Sequence, residues 1–409
     1  MPRRLWLVCH RWIALTLGAI LVLSGVTGAL LVVARPLDRL LHADDFVAAS
    51  ARTPTASAGA AMAATASAAA AMAATASGTG APATGRDVSP LGQARPATLE
   101  SLRQQLAAEF GAAASFTFRP PRVAGETMQV RVRAPAREGP ETRAAWHGTV
   151  FLDPASGREQ GRRDEGEGLV AIAYDLHSAL MLGQTGKAVL AIAAGAYLVL
   201  MVSGLILWWP RRWPPSLRMV FDKGTLRALF DVHRQGGAIL ALLLAVCMAT
   251  GAYLAWRPIG TWITAASGQA RVVAPTLPAL PAAAARPPTL DAFAAAAQAA
   301  FPDGTIGYLL YTPRLDRPMA VRMRLPDDPH PNGRSTVLLD PRTGRVLAAQ
   351  RWSELDPGTR INSVVYPLHT GELGGVAGEI LVGMLGLGLS VLGVSGIWLW
   401  WRRRAAQRR

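Results

Sequence analysis

Seven histidines occur in the 409-residue chain, and four of them stand at matching places. His177 and His369 each precede a long apolar run. The stretches that begin at Tyr174 (YDLHSALMLGQTG) and Tyr366 (YPLHTGELGGVAG) align without a gap, so that Gly183 falls on Gly375, Ser203-Gly204 on Ser395-Gly396, and Trp208-Trp209 on Trp400-Trp401. His10-Arg11 precedes Thr27-Gly28 by the spacing at which His233-Arg234 precedes Thr250-Gly251. Imidazole is a common ligand of transition metals, and an ionisable side chain at membrane depth points to function. A single interfacial histidine is ordinarily structural, but four in register read as a ligand set.

The elements that must position these rings are membrane spans. Hydrophobic residues make up 51% of the chain and gather in four uncharged blocks, near 12–34, 188–209, 236–256 and 380–401. Each is close to the ~20 residues that cross a hydrocarbon core. The first block is too long for a signal-peptide core and reads as a retained helix. Arginine and lysine crowd three short segments, the N-terminus (Arg3, Arg4, Arg11), the loop from 210 to 235, and the tail after Trp401. The positive-inside rule then places both termini in the cytoplasm of a bacterial inner membrane and the two long connections in the periplasm. The net charge of +15 reflects this topology, and nucleic-acid binding is set aside. Both cysteines, Cys9 and Cys247, lie in or beside spans, so the exported parts carry no disulfide.

The resulting organisation is transmembrane helix 1 (1–35), a flexible Ala/Thr/Ser-rich segment (36–97), a periplasmic unit (98–165), and helix 2 with its histidine segment (170–210). A cytoplasmic loop (211–232), helix 3 (233–257), a second periplasmic unit (258–365), helix 4 with its histidine segment (366–402) and a tail (403–409) follow. The flexible segment repeats AAMAATAS and buries too little to fold. Each exported unit reads as one short helix and three strands ending in an Asp-Pro-x-x-Gly turn, DPASG or DPRTG. The fold class is thus an all-α four-helix transmembrane bundle with two small periplasmic α+β domains, built as an internal two-fold repeat.

In an up-down-up-down bundle, helices 1 and 3 are diagonal, as are 2 and 4. A flat cofactor fits between diagonal helices, and two imidazoles on opposite sides of a porphyrin iron make a six-coordinate haem of the electron-transfer type. One haem between His10 and His233 and one between His177 and His369 would link the two membrane faces. The helix glycines would let a macrocycle approach the backbone, or serve close helix packing. Two histidines per face are too few for a structural zinc site. His42 has no counterpart in the second half, although whether it replaces one of the four ligands stays open. His147 and His330 read as solvent-facing. The Trp pairs at 208 and 400 read as interfacial anchors. No residue reads as a catalytic acid, base or nucleophile. No C-x-x-C-H, P-loop or dinucleotide motif occurs, so any haem is non-covalent b type. The electron donor would be a quinol or a separate cytoplasmic reductase.

The segments LHSALMLGQTG, LHTGELGGVAG, CHRWIALTLG and DVHRQGGAIL, each leading to a late Thr-Gly or Ser-Gly, resemble the PepSY-associated transmembrane family, and the exported units resemble PepSY domains. That family includes siderophore-iron reductases of the ferrioxamine-reductase type. The resemblance implies two b haems on His10, His177, His233 and His369, and reduction of a ferric siderophore in the periplasm with release of Fe(II). Tyr174, Tyr366 and Trp256 are candidate contacts for the acceptor. Arg131, Arg133, Arg322 and Arg324 alternate along exported strands and either receive an anionic chelate or form a solvated face. Two other readings fit the sequence. One is a non-enzymatic PepSY binding protein anchored by its helices, and the other an iron-chelate transporter.

Overall fold

The computed structural model describes residues 3–52, 97–136, 144–210, 213–268, 275–277 and 287–408; 53–96 of the expected flexible segment lie outside them. Helix α1 spans Arg3–Leu41 and is followed by two short turns of helix, α2 (Ala43–Phe46) and α3 (Ala49–Arg52). The first half continues with α4 (Leu99–Phe110), strands β1 (Ser115–Arg119), β2 (Met128–Ala134), β3 (Trp146–Leu152) and β4 (Glu159–Asp164), then α5 (Gly168–Ala179) and α6 (Gly183–Trp208). The second half comprises α7 (Thr225–Asp231), a π-helical turn (Val232–Gly236), α8 (Gly237–Ala255), α9 (Pro258–Ala266) and α10 (Leu290–Ala300). Strands β5 (Thr305–Tyr311), β6 (Met319–Arg324), β7 (Ser335–Leu339) and β8 (Val346–Gln350) precede α11 (Pro357–Thr370) and α12 (Gly375–Gln407).

Four helical stretches are long and apolar enough to cross a bilayer: α1, α6, the run from α7 through α8, and α12. α1 packs against α6 and α12, and α8 packs against α6 and more thinly against α12, so α1 and α8 are diagonal, as are α6 and α12. Closest approach occurs where side chains vanish. A Cβ on Gly25 would meet the Gly386 carbonyl at 2.5 Å, and one on Gly386 would meet that of Gly25 at 2.6 Å. Small-residue contact of this kind is how helices associate where lipid offers no hydrophobic drive.

The strands of both halves form one sheet, ordered β4-β3-β2-β1-β5-β6-β7-β8. Two small separate domains were expected; instead β1 pairs antiparallel with β5, Phe116 opposite Tyr311 and Phe118 opposite Leu309. One core serves both halves, with Leu102, Leu106 and Phe110 of α4 and Leu290 and Phe293 of α10 covering Phe116, Val130, Leu309 and Val321. The two helices also cap each other. Asp291 accepts the Leu99 and Glu100 amides at 3.0 Å each, while Glu100 accepts the Leu290 amide at 3.2 Å. Carboxylates at helix N-termini satisfy otherwise unpaired N–H groups.

Each half contributes four strands where three were expected. The Asp-Pro-x-x-Gly segments are hairpin turns, with Gly157 and Gly344 at φ 73° and 76°, and each leads into an extra edge strand. β4 (EQGRRD) hides because charge, rather than alternation, marks a protected edge. Residues 36–52, taken as part of the flexible segment, continue α1 and then pack on the sheet. Phe46 meets Phe151 edge-on at 5.0 Å, and Ser50 binds Asp153 through its amide at 2.8 Å. Arg163 of β4, ion-paired to Asp38 and Asp45, ties the sheet to the end of α1.

Candidate functional site

The four matched histidines form two pairs, one at each end of the bundle. At the end away from the sheet, the rings of His10 and His233 have centroids 6.3 Å apart. Beside the sheet, those of His177 and His369 are 6.2 Å apart. Each pair joins the two halves of the chain.

Every ring is held in the same way by a helix of its own half. His10 Nδ1 lies 3.0 Å from Ser203 Oγ and 3.2 Å from the Leu200 carbonyl. His233 Nδ1 lies 3.2 Å from Ser395 Oγ and 3.0 Å from the Leu392 carbonyl. His177 Nδ1 lies 3.1 Å from both Thr27 Oγ1 and the Ser24 carbonyl. His369 Nδ1 lies 3.0 Å from Thr250 Oγ1 and bonds the Cys247 backbone. In each case the hydroxyl residue also bonds the carbonyl three positions before it, and the ring sits over both groups. A carbonyl only accepts, so Nδ1 carries the proton and Nε2 keeps its lone pair for a ligand bond. Fixing one imidazole nitrogen so that the other is presented is how metal-binding histidines are oriented.

The glycine after each hydroxyl completes the seat. An added Cβ would meet the Cε1 of His177 at 3.0 Å on Gly28, of His10 at 3.2 Å on Gly204, of His369 at 3.2 Å on Gly251, and of His233 at 3.0 Å on Gly396. These glycines therefore admit a histidine ring, while Gly25 and Gly386 serve helix crossing. The Thr-Gly and Ser-Gly pairs were visible in the repeat, but the sequence did not reveal that each is the seat of a histidine from the other helical segment of its half.

A metal–imidazole bond is about 2 Å and a ring centre lies about 1 Å behind the nitrogen, so an iron held between two imidazoles separates the centroids by about 6 Å. Both pairs meet that separation. Among the described residues no group of three or more His, Cys, Asp or Glu side chains is placed to hold a metal. Two donors per site suit an iron whose remaining four positions are filled by a macrocycle.

Of the other residues singled out, Tyr174 and Tyr366 are exposed, each three positions before its histidine, and Trp256 ends α8, exposed and edge-on to Trp262 at 4.8 Å. Trp208 donates from Nε1 to Gln235 of the π turn at 2.8 Å. His42 is exposed and paired with Asp38 at 3.2 Å, and His147 is exposed on β3. His330 corrects its sequence reading. It is buried, 4% exposed, with Nε2 3.1 Å from Glu372 and Nδ1 accepting the Asn332 amide at 2.9 Å. The proline-rich loop folds onto the junction of α11 and α12 instead of facing solvent. Arg131 is bound to Glu165.

Fold and site define a membrane protein whose diagonal helix pairs present two facing histidine pairs. The model of the PepSY-associated TM region matches residues 7–403, and the chain belongs to that family. No curated protein matches alongside it.

Proposed function

We propose that the protein is an inner-membrane dihaem b oxidoreductase that passes electrons outward to reduce a periplasmic ferric siderophore. The observation that supports this most is the repeated pair, two rings about one iron's width apart with Nδ1 engaged and Nε2 left for a ligand bond. His10 and His233 would hold one haem and His177 and His369 the other, and the bound haems would supply one-electron Fe(III)/Fe(II) chemistry at the two ends of the bundle.

The chain's own residues set up that chemistry. Ser203, Ser395, Thr27 and Thr250 keep each ring's proton on Nδ1 and its plane fixed, which limits rearrangement on a change of charge. His10 and Gly28 are 18 residues apart on one helix, about 27 Å at about 1.5 Å per residue, so the two pairs lie toward opposite faces of a bilayer. With haem bound, the His10/His233 end would be the one that receives electrons from a quinol or a cytoplasmic reductase. The acceptor meets the sheet side, where Tyr174, Tyr366 and Trp256 stand at the rim. One electron converts a chelated Fe(III) to Fe(II), which hard oxygen donors hold less tightly, and the metal is released.

The test is an optical spectrum of the detergent-purified protein before and after dithionite, with a pyridine haemochrome assay. Two b haems per chain and reoxidation by a ferric siderophore are expected. Protein without a Soret band after expression with added haem would overturn the reading and leave the sheet as a partner-binding module.

A further inference from the structure

Many arginines elsewhere on the sheet unit find carboxylates, and Arg133, Arg158 and Arg345, for which the described residues supply none, are exposed. Arg103 pairs with Glu100, Arg162 with Glu109 and Glu159, Arg163 with Asp38 and Asp45, Arg342 with Asp340, and Arg351 with Asp327. One group does not. Arg119 ends β1 and Arg122 follows it; Arg322 and Arg324 lie on β6, facing away from the core residues Val321 and Met323; Arg334 precedes β7. Among the described residues none of these five has a carboxylate within ion-pair distance.

They surround Tyr308. Its ring lies under the Arg119 guanidinium at 4.9 Å, its hydroxyl accepts from Arg119 Nη2 at 2.7 Å, and it stands opposite Arg322 in the β5–β6 register. Arg119, Arg322 and Arg334 are partly buried, and Arg334 Nε is fully buried without a hydrogen-bond partner. Burial lowers the guanidinium pKa of Arg122, Arg322 and Arg334. Neighbouring arginines add to this at Arg122, where Arg119 and Arg324 face it, and at Arg334, where Arg322 does.

The acidic groups facing the cluster are Asp328 and Glu372. Asp328 accepts the Leu325 and Arg334 amides and the Ser335 hydroxyl, and Glu372 is paired with His330. Five cations thus face two engaged carboxylates, and a partly buried guanidinium without a counter-charge is costly. Glu372 is also three residues beyond His369, so the cluster adjoins the α11–α12 junction that carries one of the sheet-side histidines.

We propose that this cluster is a binding site for a small polyanionic ferric chelate whose carboxylate groups engage the guanidinium forks. The proposal rests on the electron-transfer reading above and specifies its acceptor as anionic. The site itself makes and breaks no covalent bond; it holds the Fe(III) that gains one electron.

The full-length protein in zwitterionic nanodiscs is titrated calorimetrically with gallium(III) citrate, which mimics a ferric chelate but is not reduced. Saturable binding that weakens with salt is expected, at least tenfold weaker in Arg322→Gln and in Arg334→Gln and unchanged in Arg162→Gln. A neutral gallium tris-hydroxamate should bind at least tenfold more weakly than the citrate complex. Arg334→Gln removes an unpartnered charge, so its ligand-free Tm should stay level or rise, and lost binding is then not lost folding. Haem-loaded protein that fails to bind gallium citrate, or glutamine variants that bind as tightly as the parent, would overturn the site and leave the redox reading standing. Binding by a protein that takes up no haem would support the site and overturn that reading. Binding abolished in phosphatidylglycerol nanodiscs, with that lipid retained through purification, would assign the arginines to lipid headgroups and overturn the chelate proposal.

Discussion

The two histidine pairs use one kind of seat on two kinds of carrier. Away from the sheet, His10 lies within the uninterrupted α1 and His233 on the π turn that opens α8. Beside the sheet, His177 and His369 stand near the C-terminal ends of α5 and α11. Those helices end in left-handed residues, Leu180 and Met181 at φ 50° and 56° and Gly371 at φ 83°, before the next span begins. The rings meet at 83° in the first pair and 43° in the second. The seats also divide by end, Ser-Gly away from the sheet and Thr-Gly beside it. A ring can thus be delivered by a rod or by a joint, provided that another helix of the same half offers a hydroxyl, the carbonyl three residues back, and a glycine.

On the proposed haem reading, and if the ends are independent, the largest effect comes from removing one of the four histidines. His10→Ala or His233→Ala should leave one b haem per chain in the haemochrome assay, and so should His177→Ala or His369→Ala. Loss of both haems from either change would show that the pairs are coupled. Filling a seat should act nearly as strongly. Gly251→Val drives a side chain into the His369 ring, whereas Gly195→Ala, with nothing within 4 Å of its added Cβ, should retain both haems.

Removing one hydroxyl is milder. Ser203→Ala and Thr250→Ala should each weaken haem retention at their own end by about 10–100-fold, the usual cost of losing an outer hydrogen bond to a metal-binding histidine. Competition with apomyoglobin would measure it. On the sheet side, acid should act through His330. Burial, opposed by Glu372, holds its pKa below the usual 6.5. The folded state therefore favours the neutral ring, and this contribution to stability is present above about pH 6.5 and is lost as pH falls toward the depressed value. Thermal unfolding followed from pH 7.5 to 5 should show that loss, and His330→Gln should flatten it.

The smallest effect is expected at Cys247, which occupies in the second half the place that Ser24 has in the first. Its Sγ is 4.0 Å from His369 Nδ1, a weak contact beside Thr250 Oγ1 at 3.0 Å. Cys247→Ser should leave haem content unchanged and make the two halves more alike.

The sequence alone determined the four membrane-crossing helices, the matched histidines and the hairpin turns, because hydropathy over a span, residue identity and Asp-Pro-x-x-Gly chemistry are read within a few neighbouring residues. It also displayed the Ser-Gly and Thr-Gly pairs without their meaning. Tertiary structure alone decided that His177 sits on Thr27 and Gly28, 150 residues away, that eight strands join through β1 and β5, that His330 is buried on Glu372, and that five arginines gather around Tyr308. Each depends on backbone approach between distant segments, where the presence or absence of one Cβ, or of one carboxylate, settles what fits, and no local pattern records that distance.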